Sequence, residues 1–73
     1  MITMESVTAF VDECLTYASQ IPANARTFEA QAYGAVMFAT RTIFTENPQL
    51  ELDLIEKWNE EWHNLFTQIY LES

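Results

Sequence analysis

The sequence predicts an all-α protein, a small three-helix bundle running up, down and up. Three observations carry that prediction. Apolar residues recur at helical intervals in three separate segments. The two prolines, Pro22 and Pro48, fall in the short polar turns between those segments. No segment alternates apolar and polar residues over a strand's length with β-branched enrichment.

The first segment covers about residues 4–20. Val7, Phe10, Val11, Cys14, Leu15, Ala18 and Ile21 form one broad apolar stripe, with Tyr17 at its edge. Glu5, Asp12, Glu13, Thr16 and Gln20 occupy the other side. Thr3 is placed to cap the start, with Glu5 in the first turn where the helix dipole favours a negative charge. Pro22 ends the helix by pushing Ile21 out of helical geometry.

The second segment starts at about Ala25 or Phe28 and runs to Thr45, over about residues 27–45, with Thr27 as an expected N-cap. One stripe is Phe28, Ala32, Ala35, Val36, Ala39 and Ile43; a second, roughly opposite, is Ala30, Tyr33, Met37 and Phe44. Phe38 falls on a third side. A helix apolar nearly all round is expected to be the most buried element. Its alanines and Gly34 allow a neighbouring helix to approach closely.

The third segment covers about residues 48–71 and has the clearest start in the chain. Asn47 reads as N-cap and Pro48 as the first helical residue, where a missing N–H costs nothing. Glu51 or Leu54, then Ile55, Trp58, Trp62, Leu65 and Ile69 make the expected core stripe, a short heptad-like seam from Ile55 onward. Leu52, Asn59, Phe66 and Tyr70 flank it.

The chain has 73 residues, of which 49% are apolar, 14% aromatic and 19% charged. That length supports one domain. The single Cys excludes an internal disulfide framework. Three basic against 11 acidic residues give a net charge of −8, which argues against binding nucleic acid through its phosphates. The same charge disfavours anionic membrane surfaces, and no run of 18 apolar residues is available to span a bilayer. Residues 1–10 carry Glu5 and no Lys or Arg, unlike a signal peptide, so a cytoplasmic location is expected.

A domain this small buries only about 60% of its unfolded surface, yet half of its residues are apolar. The expected outlet is self-association, a dimer first, or a protein partner. The two surplus rows on the second and third helices supply the expected interface: Tyr33, Met37, Phe44, Leu52, Phe66 and Tyr70. An alternative lies in the charge. Asp53, Glu56, Glu60 and Glu61 line the outer side of the third helix. Such a row suits an acidic inhibitor or nucleic-acid mimic of the phage type, bound to a basic protein. A third, weaker expectation is a small apolar or aromatic ligand held between protomers.

Catalysis and cofactors are not expected. Glu60 and His63 have the Glu-x-x-His spacing of di-iron carboxylate bundles, with Glu29 or Glu13 as further ligands. However, an α-helical wheel turns both well away from Trp58 and Trp62, and ligands of that class point inward. Cys14 reads as a small core residue within the first stripe. Gly34 is the one glycine, so no phosphate-cradling loop exists. The expected role is therefore a small acidic helical interaction module without enzymatic activity.

Overall fold

A computed structural model describes residues 3–44 and 46–72. It is all-helical, with three rods in an up-down-up bundle. Helix α1 spans Met4–Gln20. A 3-10 turn, Pro22–Asn24, leads into α2, which spans Ala25–Phe38 and ends in a π-helical turn, Ala39–Ile43. Helix α3 starts at Pro48, and a second π turn, Trp58–Trp62, divides it into Pro48–Lys57 and His63–Glu72. The expected end of the second helix at Thr45 lies outside the described residues.

Two of the expected caps form. The Ser6 N–H donates to Thr3 Oγ1 at 3.2 Å, and the Leu50 N–H donates to Asn47 Oδ1 at 3.4 Å. Helix α2 takes the earlier of its two expected starts, Ala25, so Thr27 lies inside the helix and does not cap it; the 3-10 turn after Pro22 feeds directly into it, and the Ala25 N–H donates to the Pro22 carbonyl.

The core is built on small residues where α1 meets α2. Ala18, Ala25, Ala32 and Ala39 are buried together with Val7, Val11, Cys14 and Val36. These small side chains bring the two helices close. The larger groups come from α3: Leu54, Trp58, Trp62 and Phe66. They are spaced by four. In an uninterrupted α-helix each such step drifts about 40°, so the three steps between these four residues would spread them over about 120°. The π turn underwinds the rod at Trp58–Trp62, where the His63 N–H donates to the Trp58 carbonyl five residues back. An extra residue in one turn sets every later residue back by one helical position, about 100°.

That shift corrects the expected register. Phe66 takes the core position expected of Leu65: Phe66 is 1% exposed and Leu65 39%. The π turn at the end of α2 acts alike. The Phe44 N–H donates to the Ala39 carbonyl at 2.9 Å, which stacks Phe44 above the buried Ala39. Phe44 is therefore 6% exposed rather than facing outward. Thr40, buried in the same turn, satisfies its hydroxyl by donating to the Met37 carbonyl at 2.9 Å.

The other departures run outward. Helix α2 is not covered all round, for Tyr33 is 45% exposed and Phe38 60%. Phe10 and Ile21, expected in the first core stripe, are also exposed. Three helices close one core between them. Apolar residues at the edges of a wide stripe are left at the surface.

Candidate interaction surface

The total accessible surface, 4822 Å², is near the roughly 4,700 Å² expected of a compact monomer of this mass. The area is ordinary. The uneven feature is where large apolar side chains remain in contact with water.

The sharpest apolar feature is a groove of about 200 Å³ between α1 and the end of α2. It is lined by Val7 and Phe10 from α1, and by Ala35, Phe38, Ala39 and Ile43 from α2 and its π turn; Ser6 is its one polar residue. Phe38 and Phe10, the latter 40% exposed, stand at its rim over small alanines. Gly34, one turn before Phe38, is exposed and faces open space: a Cβ there would meet nothing within 4 Å. Sequence reasoning set Phe38 aside on a third face and put Phe10 in the core. A signal was present for Phe38, which shares no stripe with the buried alanines of α2, but not for Phe10, which falls in the stripe of Val7, Val11 and Cys14.

The expected interface residues separate into three groups. Phe44 and Phe66 are core residues and leave the surface, for the register reason above. Tyr33 and Leu52 are exposed, and Met37 is half-buried. Tyr33 and Met37 line a second groove of about 190 Å³ between α2 and α3, with Val36, Ile55, Trp58 and Asn59. Tyr70 is exposed toward the other end, where the Arg26 guanidinium stacks 3.9 Å over its ring.

The acidic residues stay together. Asp53, Glu56, Glu60 and Glu61 line one shallow depression on α3 with Lys57 between them. Lys57 Nζ lies 3.9 Å from Glu61 Oε2 and 5.2 Å from the Trp62 ring centroid, so its charge is partly engaged. Gln49 donates to Asp53 Oδ1 at 2.8 Å.

Of the two carboxylates considered beside Glu60 and His63, Glu29 is the one that meets His63. Its Nδ1–H donates to Glu29 Oε2 on α2 at 2.9 Å. Glu13 instead accepts from the Tyr17 hydroxyl at 3.1 Å, which pushes the Tyr17 pKa up. Among the described residues, no three of His, Cys, Asp or Glu come together as a metal site. Cys14 is buried in the core; burial, with Glu13 nearby, raises its pKa and keeps the thiol protonated.

The chain matches no family model, no curated protein and no solved structure. Among the described residues, no helix is long and apolar enough to cross a membrane.

Proposed function

We propose that this protein is a small cytoplasmic interaction module that works by self-association, with a second copy covering the groove between α1 and α2. The exposed Phe38 beside that groove is the observation that carries the reading. A large aromatic ring at the rim of an apolar cleft is the usual form of an interface anchor. The small residues beneath it, Ala35 and Ala39, leave room for an apolar side chain from another copy. Half-apolar composition in one small domain points the same way. Tyr33, Met37 and Leu52 offer a further apolar row on the α2–α3 side. The reading assigns no catalytic step, since the Cys14 thiol is buried and His63 is bonded to Glu29.

Light scattering over a range of concentrations tests this reading. The expected mass is twice the 8.5 kDa of one chain. Phe38→Asp is expected to weaken association by about 30-fold or more, the loss of one anchor worth roughly 2 kcal/mol. Its helicity should not change, because Phe38 is largely exposed. A monomer at every concentration, or an F38D protein that associates as the native chain does, would end the proposal.

The gathering of four carboxylates on one stretch of α3 favours a second reading, an acidic inhibitor or nucleic-acid mimic. On that reading, reversing Asp53, Glu56 and Glu60 to Lys removes binding to a basic protein partner. Binding by the native chain should also fall steeply with salt. Retained binding by the triple variant would count against it.

A further inference from the structure

The π turn in α3 builds a site apart from the groove between α1 and α2 that carries the self-association reading, sharing none of its lining residues. In a regular α-helix His63 would lie about 140° round from Trp58. Underwinding brings it back over that residue, with ring centroids 6.5 Å apart. From α2, Tyr33 approaches the same indole, its centroid at 5.2 Å and its ring inclined by 54°. The three rings, Ala30 and Glu29 line one open pocket of about 290 Å³. Glu29 is mostly covered, with a side chain 19% exposed, and His63 holds its Oε2 at 2.9 Å. Extra-residue turns of this kind cost regular hydrogen bonds and are found disproportionately at functional sites.

We propose that this pocket binds an alkylated ammonium group, such as a trimethylammonium head or a methylated lysine side chain. The Tyr33 and Trp58 rings supply faces that attract a cation, and the covered Glu29 carboxylate supplies an opposing charge held in place by His63. No Lys or Arg lines the pocket. Two of the three basic side chains are engaged elsewhere: Arg26 lies over Tyr70, and Lys57 lies beside Trp62 and Glu61. The net charge of −8 raises the local concentration of any cation. A primary ammonium carries three N–H donors and needs acceptors to match. Here the charged acceptor already takes a bond from His63, and the remaining lining is ring and methyl. An alkylated ammonium keeps its charge and needs few or no acceptors.

The test is an NMR titration of the full chain with choline. The controls are 3,3-dimethylbutan-1-ol, its neutral isostere, and ethanolamine, its primary-amine counterpart. Choline is expected to shift the Trp58 indole and Tyr33 ring signals saturably. Both controls should bind at least about tenfold more weakly. Glu29→Gln and Tyr33→Ala should each weaken choline by a similar factor while the helical circular dichroism is retained. N-acetyl-trimethyllysine amide then separates the sources: tighter binding than choline assigns the pocket to a peptide side chain, weaker binding to a small head group. The absence of saturable shifts overturns the proposal. So does equal binding of either control, or unchanged binding by both folded variants. Phe38→Asp is expected to bind choline normally, so this proposal and the self-association reading fail separately.

Discussion

Phe66→Ala is expected to destabilise the fold by about 3–5 kcal/mol, whereas Leu65→Ala changes it by about 1 kcal/mol or less. The two neighbours differ because the π turn ahead of them decides which one faces the core. Phe66 is packed beside Trp58, with ring centroids 6.1 Å apart, and is fully buried. Truncating it removes an aromatic ring and leaves a cavity at the centre of a core that has few large side chains. A domain of this length has a total stability of roughly 4–11 kcal/mol, so the loss takes a large share and leaves some molecules unfolded at room temperature. Urea denaturation followed by circular dichroism measures both variants. Equal destabilisation, or a larger loss at Leu65, would mean that α3 follows an ordinary α-helical register.

Deletion of Glu60 is expected to leave the fold intact, with a change of about 1 kcal/mol or less, where deletion of Asp12 abolishes cooperative unfolding. Removing one residue from a helix normally turns everything beyond it by about 100°. In α1 that rotation carries Cys14 and Ala18 out of the core while Val7 and Val11 stay. In α3 the turn at Trp58–Trp62 already holds one residue more than an α-turn. Taking Glu60 away lets that turn close as ordinary α-helix. Phe66 stays in the core, and His63 stays opposite Glu29. Thermal melts of the two deletion variants give the answer directly. A Glu60 deletion that unfolds like the Asp12 deletion would refute the account of the register.

The two variant sets bear on how much was legible before the fold was known. Helix number, order and starts were legible, because they depend on local chemistry. Thr3 and Asn47 cap their helices by bonds to residues three positions on, and Pro22 and Pro48 act on their immediate neighbours. The roles of Val11, Cys14, Ala18, Trp58 and Trp62 as core were legible from periodicity. The grouping of Asp53, Glu56, Glu60 and Glu61 on one face was too, since it spans barely two turns of one helix.

The candidate surfaces were legible only in part. Tyr33, Met37 and Leu52 were placed at the surface, and they stay there wholly or in part. Phe44 and Phe66 were placed there too, and both are core. The error has one cause at two sites. Periodic reading assumes about 100° per residue throughout, and each residue beyond a π turn breaks that assumption. Glu29 was named beside His63 from the sequence, but His63 was turned well away from Trp58 for the same reason, since it follows the second π turn.

The sequence by itself determined that this chain is three helices, where they begin, and which side of each is most apolar. These follow from caps, prolines and spacing, all interactions within a few residues. Only the tertiary structure decided which apolar residues are covered. It left Phe10 and Phe38 at a groove, took Phe44 and Phe66 into the core, and set His63 against Glu29 and Trp58. The physical reason is that a π turn loses some regular hydrogen bonding, which local propensity opposes. It is stabilised by the burial of rings that come from elsewhere in the chain.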